Sequence, residues 1–466
     1  MDFRKGEPFM RRVRIVWLVF CLPIFSSAVW AQQRIEYPAS SYSGSREGLI
    51  YDLKHPDSFR RRQAAELAGR NRLREVLPQL TELQKDPEAE VRRAMVSSLD
   101  SLLDARAGAT LAVMLEDGDR DIRQKAIRAL VNVYLGQDSS SLGSAMRHVG
   151  AVFNPRVDAN NSVIEPDVEV APGVIPGLAR CLRDPYPPIR KDAAQALGIL
   201  RGKAAVEEMA RASREETDKA VLKEQLRSFA KLGDPAPAPQ AMALLRHEDP
   251  SIQEEAIFTL GALRDKSAVA ELTQIYQSGT GERRRILRVI PASRSDLLVI
   301  RSLQAMAMIG AAESRNLFSE ALTHVDSRYR QAGAEGLARI RTPDLAPTLV
   351  TLKAREQSND AKMAMSFALF RAGQKENLEE LVAAAAGGQE DSAGYLAEFQ
   401  GPEVPMLYPF LGSENAKTRA VAAEVIGLTG DASALPQLEP LTKDRDVQVL
   451  AAAVKAQRRI QARSRK

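Results

Sequence analysis

Residues 86–99 read DPEAEVRRAMVSSL, and this stretch decides the fold. Asp86 and Pro87 are typical of a helix start, because an acid caps free backbone N–H groups and proline fits the first helical position. Val91 and Leu99 follow, eight residues apart. Residues at this spacing share one face of an α-helix. The stretch therefore predicts a helix with one apolar face.

The same spacing recurs along the chain. Ten times an anchor residue is followed eight positions later by a large apolar residue, and most neighbouring anchors lie 29 to 32 residues apart. The pairs are Phe59/Leu67, Val91/Leu99, Ile122/Leu130, Ile189/Leu197, Val221/Phe229, Ile252/Leu260, Ile300/Met308, Tyr329/Leu337, Ala361/Leu369 and Thr418/Ile426. Such a period is typical of stacked helical units, none of which buries its apolar face alone. We therefore expect an all-α fold, an α-solenoid of ~12 helical pairs.

The stretch 86–99 and its counterpart DPYPPIRKDAAQALG, residues 184–198, resemble HEAT repeats, specifically the short variant of phycobilisome lyases. The resemblance covers about residues 46–460. It implies a right-handed superhelix whose second helices line the concave side, and a ladder between repeats formed by a loop Asp and the Arg six residues later. The matching pairs are Asp86/Arg92, Asp117/Arg123 and Asp184/Arg190. His324/Arg330 and Ser413/Arg419 lack the acid, so we expect a weaker ladder there.

Residues 1–31 have the features of a secretory signal peptide. Three arginines within residues 11–14 precede an apolar run of 11 residues, 15–25, which is too short to span ~30 Å of hydrocarbon. Val29 and Ala31 then supply small residues at the two positions that a signal peptidase reads. We expect cleavage after Ala31, and a periplasmic or secreted protein of the bacterial cell envelope with no membrane span after cleavage.

The charge of the chain changes when this segment is removed. Residues 1–31 hold five basic and two acidic side chains, so the remainder has 60 Lys+Arg against 58 Asp+Glu. The remainder is nearly neutral, which gives no argument for a nucleic-acid partner. It keeps a single cysteine, Cys181, whose neighbours Leu178 and Leu182 indicate a buried thiol rather than a nucleophile.

Polar and irregular segments interrupt or flank the repeats. Residues 32–45 are expected to form a flexible leader, residues 136–171 an insert of about 36 residues, and residues 461–466 a basic tail. The helical pairs then occupy residues 46–135 and 172–460. The insert is either a tolerated solvent loop or a recognition element that projects from one edge.

Helix geometry selects candidate binding residues. Positions two and six after each anchor point away from the buried face of the second helix. In the N-terminal half these candidates are basic, namely Arg93, Arg128, Lys191, Lys223 and Arg227. In the C-terminal half they are acidic or apolar, namely Phe258, Glu335 and Phe367. The pattern predicts a groove with unlike ends, although the charges could equally well serve only to solvate each helix.

No standard catalytic motif occurs in the sequence, and the four histidines are too scattered for a metal cluster. We therefore expect a non-catalytic scaffold that binds a protein partner along the concave groove and needs no cofactor, no metal and no nucleic acid. The alternative is an enzyme or enzyme accessory that uses the insert, whose polar inventory is Arg147, His148, Asp158 and Glu165. A weaker alternative is polyanion binding through Arg283–Arg288 and Arg458–Lys466.

Overall fold

The computed structural model describes residues 45–136, 163–285 and 294–465. These residues belong to one compact unit, Ser43–Lys466. The expected signal peptide, the leader up to residue 44 and most of the insert lie outside the described residues. The described part contains α-helices and short 3-10 helices and no strand.

The helices follow one another in pairs, which confirms the expected α-solenoid. The first helices of the twelve described pairs are Arg46–Leu53, Leu77–Glu82, Gly108–Met114, Val174–Cys181, Val206–Glu215, Ala238–Leu244, Val269–Arg285, Arg315–Ala321, Ala346–Arg355, Asn377–Ala386, the 3-10 helix Gly401–Gly412 and Leu435–Leu438. The second helices are Ser58–Arg70, Ala89–Leu102, Arg120–Gly136, Pro187–Ile199, Lys219–Leu232, Pro250–Ala262, Arg294–Ile309, Ser327–Ile340, Asn359–Arg371, Glu390–Leu396, Ala416–Thr429 and Val447–Ser464. Consecutive second helices pack against each other, so each unit buries its apolar face on the next.

Polar side chains start the second helices in two different ways. Asp249 is the cap itself, and its carboxylate accepts a hydrogen bond from the Ser251 N–H. Asp86 and Asp184 instead lie two residues before the cap. The Asp86 carboxylate accepts from the N–H of Glu88 and thereby fixes the turn that leads into the helix. The acid that the sequence marks as a helix start is thus often a turn residue.

The predicted apolar pairs form most of the core. In seven of the ten pairs both residues are buried, and the exceptions are Phe59/Leu67, Ile300/Met308 and Thr418/Ile426. In the first unit the buried residues are Ala64 and Ala68, while Phe59 and Leu67 are half-buried. The predicted register is therefore wrong by one residue there, because alanines carry the buried face and give a weaker pattern than the large side chains beside them.

Glycines near the ends of the second helices have two roles. Gly233 and Gly373 end helices at φ values of +62° and +104°, where a left-handed conformation favours glycine. Gly69 and Gly261 lie inside their helices instead. A Cβ at Gly261 would lie 2.9 Å from the Ala305 Cα on the next second helix. These inner glycines allow neighbouring second helices to approach closely.

Within the described ranges, none of the helices combines the length and the apolar character needed to cross a membrane.

Candidate interaction surface

The C-terminal ends of two distant second helices approach each other in the middle of the chain. Arg264 follows the helix Pro250–Ala262, and its Nη2 lies 3.6 Å from the carboxylate of Glu398, which follows the helix Glu390–Leu396. Three second helices separate these two in the chain. The stack therefore brings these two ends within reach of each other across the intervening units.

Arginine side chains join consecutive units in the manner that the resemblance implies. Arg92 Nη1 donates to the backbone carbonyl of Asp86 in its own unit at 2.8 Å. Its Nε and Nη2 donate to the carboxylate of Asp117 in the next unit at 2.6 and 3.0 Å. The guanidinium therefore bridges two units, and both side chains are largely buried. We call each such Arg–carboxylate pair a rung.

Six rungs occur among the described residues, with Nε to carboxylate distances between 2.6 and 2.9 Å. They are Arg61–Asp86, Arg92–Asp117, Arg123–Asp184, Arg190–Glu216, Arg330–Glu356 and Arg419–Asp444. The rung from Arg123 to Asp184 spans the insert, so the units on either side stack directly. The first four rungs join five consecutive second helices.

The partners of Arg330 and Arg419 correct one expectation from the sequence. Arg330 and Arg419 were expected to form weaker links, because the acid of their own unit is replaced. Both nevertheless bind the acid of the next unit, Glu356 and Asp444 respectively. Hydrogen bonds from Arg330 outweigh burial and lower the pKa of Glu356 to about 2. Sequence reasoning missed Arg61 because of the register error, and missed Glu216 and Glu356 because it looked for aspartate.

We call the contact between two consecutive second helices a joint. Three consecutive joints in the middle of the chain have no rung among the described residues. Leu222 and Gln253 occupy the arginine position in their units. Arg301 binds backward instead, since its Nε donates to Glu254 at 2.7 Å. The acid position is taken by His247 and His324, whose Nδ1 atoms accept backbone N–H groups within their own turns. We call this region, from Lys219–Leu232 to Ser327–Ile340, the rung gap.

The predicted basic residues lie on consecutive second helices, but several are already paired. Arg93 Nη2 lies 2.7 Å from Asp119, and Arg227 Nε lies 3.1 Å from Glu255. Arg128 Nε lies 3.0 Å from Asp192, yet its side chain remains 63% exposed. In each pair the acid comes from the next unit.

Two of the predicted residues, Lys191 and Lys223, form no salt bridge with the described residues. Lys191 is exposed, whereas Lys223 is half-buried and its charge acts on Glu255 of the next second helix. They occupy equivalent positions on neighbouring second helices. Together with Arg128, which lies about one helical turn further along the preceding second helix, they form a staggered row that we call the lysine face.

The acidic and apolar end of the predicted groove is largely filled by the chain itself. Phe367 is 0% exposed, because its ring stacks on Tyr395 with the centroids 4.7 Å apart. The Tyr395 hydroxyl donates to Glu335 at 2.8 Å. Phe367 therefore does not face solvent, and Glu335 is engaged within the molecule. The helix Glu390–Leu396 covers this part of the surface, which the sequence did not indicate.

Phe258, the remaining apolar candidate, is half-buried on the helix Pro250–Ala262. It lies within the rung gap, on a different stretch of the solenoid from the Tyr395 cluster. The structure therefore does not unite the C-terminal candidates into a single open site.

A second cluster joins the end of the insert to the last helix. Glu165 accepts two hydrogen bonds from Arg459, at 2.6 and 2.8 Å, and its carboxylate lies 2.7 Å from Lys455 Nζ. The hydrogen bonds and charges of Arg459 and Lys455 outweigh burial and lower the pKa of Glu165 to about 2. Of the polar inventory proposed for the insert, Arg147, His148 and Asp158 lie outside the described residues.

Cys181 and the described histidines, which were the remaining candidates for catalysis or metal binding, have structural roles. Burial raises the pKa of the Cys181 thiol to about 11, as expected for an inert core cysteine. Over the described residues no three His, Cys, Asp or Glu side chains are grouped so as to hold a metal ion. His55, like His247 and His324, accepts a backbone N–H through Nδ1 in the turn before its second helix.

The repeat pattern was compared with known protein families, sequences and structures. A comparison with curated protein sequences finds no match. Among solved structures, the chain is similar to an engineered protein at 16% identity and a TM-score of 0.37, over 89% of this chain and 98% of that one. It is also similar to Kap121p at 12% identity and a TM-score of 0.35, over 88% of this chain and 44% of that one. The family model for HEAT repeats matches residues 47–131 and 210–290, so the chain carries HEAT repeats in these two regions.

Proposed function

We propose that this protein is a non-catalytic scaffold that binds an acidic segment of a partner protein along its second helices. The observation that carries the proposal is the lysine face, Arg128, Lys191 and Lys223, on three consecutive second helices. The C-terminal counterpart of this surface is occupied by the chain itself around Tyr395 and Phe367. The partner surface is therefore assigned to the N-terminal half of the solenoid.

The spacing of the lysine face suggests the shape of the partner. Packed helices lie ~8–10 Å apart, so equivalent side chains on neighbouring second helices have about the same spacing. A segment in the polyproline II conformation has three residues per turn and advances ~3.1 Å per residue, so every third side chain returns to the same face at a spacing of ~9 Å. A partner segment with Asp or Glu at every third residue would match the row. Charge complementarity of this kind fixes register and increases the association rate more than the affinity.

The test uses charge reversal on the lysine face. The double variant K191E/K223E should slow association with a labelled extended peptide that carries Glu at every third residue by at least about tenfold at low salt, and the effect should shrink as salt screens it. The matched control is K85E/K203E, which reverses two exposed lysines outside the second helices and changes the net charge equally. Equal association rates for the two variants would contradict the proposal.

We further propose that the scaffold works in the bacterial cell envelope, as a periplasmic or secreted protein. Support comes from the basic start, the short apolar run and the small residues up to Ala31. Expression in a bacterial host, followed by fractionation and N-terminal sequencing, should give a mature chain that begins at Gln32. A cytoplasmic chain that keeps its first 31 residues would contradict this part of the proposal.

A further inference from the structure

The segment at the end of the insert holds a position that a partner could also take. Ile164 is 2% exposed, and both of its backbone polar groups are engaged with the end of the helix Pro187–Ile199. Its N–H donates to the Ile199 carbonyl at 2.9 Å, and its carbonyl accepts from Arg201 Nε at 2.8 Å. A residue held at both backbone groups, with its side chain buried in a recess that we call the cup, is bound in the way that peptide segments commonly are.

The next residue places a carboxylate among cations from the far end of the chain. Glu165 binds Arg459 and Lys455 of the last helix, 294 positions away in the case of Arg459. The Arg459 side chain is only 6% exposed, and Glu424 also lies near it, with 3.7 Å between Nη1 and Oε1. Without Glu165 this buried guanidinium would lose two charge-assisted hydrogen bonds, which is costly. The site therefore favours a carboxylate.

The rest of the segment is lightly attached. Asp167 and Glu169 are exposed, and the Val168 N–H bonds to Glu165 within the segment itself. The next described backbone bond to the solenoid is from the Ala171 N–H to the Tyr134 hydroxyl. Before Ala171, the segment is attached to the solenoid through Ile164 and Glu165. Another chain that offers an aliphatic side chain and a carboxylate could therefore replace these two residues.

We propose that Ile164 and Glu165 are an internal ligand, which occupies a site for an extended partner segment carrying an aliphatic residue followed by a glutamate. The cup beside Ile199 would take the aliphatic side chain, and Arg459 with Lys455 would take the carboxylate. The inference rests on the proposed function in that it assumes protein segments as ligands. It names a site separate from the lysine face, so either can fail without the other.

The experiment supplies the segment in trans. A fluorescently labelled peptide with the sequence of residues 162–170, SVIEPDVEV, is titrated against the full chain and followed by fluorescence anisotropy. The variant E165Q, whose own segment no longer carries the carboxylate, should bind the peptide at least about tenfold more tightly than the wild type. Adding R459Q to E165Q should abolish this gain. A peptide with Gln in place of its first Glu should not bind.

Two controls make the result decisive. D167N removes an exposed acid from the same segment and should bind the peptide as weakly as the wild type does. K191E/K223E on the E165Q background should leave peptide binding unchanged, which separates this site from the lysine face. If E165Q loses its helical circular dichroism, I164A replaces it, since emptying the cup should also increase affinity for the peptide. Equal affinities of the wild type and a folded E165Q or I164A variant would overturn the inference.

Discussion

The N-terminal five units and the units of the rung gap solve the same packing problem with different contacts. From Arg61 to Glu216 every joint between second helices carries a bidentate rung. In the gap the joints carry no rung. Arg227 pairs with Glu255 and Arg301 pairs with Glu254 across them, and Thr259 donates to the carbonyl of Leu226 at 3.0 Å. A rung needs an arginine in one unit and an acid in the next, so the loss of either residue removes it. The helices stack with or without rungs. We expect the rungs to increase the resistance of the stack to local opening.

Removing one rung is the strongest way to test this comparison. Arg92→Met leaves the buried Asp117 carboxylate without its guanidinium, and we expect the free energy of local opening to fall by about 3 kcal/mol across residues 89–136. Hydrogen exchange measured by mass spectrometry reports that opening. Gln253→Met at the equivalent position in the gap is the control and should cost less than about 1 kcal/mol. Similar losses for both would mean that rungs do not distinguish the two regions.

The pH dependence of two carboxylates should have opposite signs at a joint with a rung and at a joint of the gap. The lowered pKa of Glu356 means that its rung stabilises the fold above the unfolded pKa of ~4.3 and loses this contribution as pH falls towards about 2. Glu356→Gln should therefore cost about 2 kcal/mol at pH 7 and almost nothing near pH 2.

Glu255, at a joint of the gap, provides the contrast. Burial raises its pKa even though Arg227 opposes the shift, so the folded state takes up a proton more readily than the unfolded state. Glu255→Gln should be neutral or stabilising at pH 7, and this advantage should disappear as pH falls and the wild-type carboxyl becomes protonated. Urea unfolding of the wild type and both variants between pH 3 and 8 measures the two trends, and parallel curves would refute the assignment.

Close approach between second helices exists in both regions and provides a third test. A Cβ at Gly69 would lie 2.7 Å from the Ser98 Cα in a joint with a rung, and a Cβ at Gly261 would lie 2.9 Å from the Ala305 Cα in the gap. Gly69→Ala should cost about 2–3 kcal/mol, because the helices must separate and the rung from Arg61 must lengthen as well. Gly261→Ala should cost about 1–2 kcal/mol, because no rung resists the shift. Thermal unfolding followed by circular dichroism gives both values.

Periodicity in the sequence predicted the α-solenoid and its approximate number of units, because large apolar residues eight positions apart mark the buried face. The same signal failed in the first unit, where Ala64 and Ala68 are the buried residues. The Arg and Asp of three rungs were identified through a family resemblance that implies a ladder between repeats, but the sequence did not show which acid each arginine reaches. Spacing within one unit does not reveal which neighbour a side chain reaches.

The candidate site was predicted less well for a related reason. Helix geometry placed Phe367 on an outward face, and that face is covered by Tyr395 from a later unit. The contact between Glu165 and Arg459 joins residues 294 positions apart, and it depends on how far the solenoid curves. Curvature accumulates from small rotations between units, which local sequence patterns do not record. Local signals therefore identify each helix, whereas contacts across several units require the structure.

Removing a hydroxyl group at a joint should give the smallest effect on stability. It also compares a joint with a rung and a joint of the gap most directly. Ser98 Oγ donates to the Ala65 carbonyl at 2.5 Å beside a rung, and Thr259 makes the equivalent bond to Leu226 in the gap. Each bond should contribute about 1 kcal/mol. Where a rung holds the joint, the helices stay together when the hydroxyl is lost, so Ser98→Ala should raise hydrogen exchange only near residue 65. Without a rung, Thr259→Val should raise exchange along the whole helix Lys219–Leu232, and a response confined to Leu226 would show that the gap is as rigid as the rest of the stack.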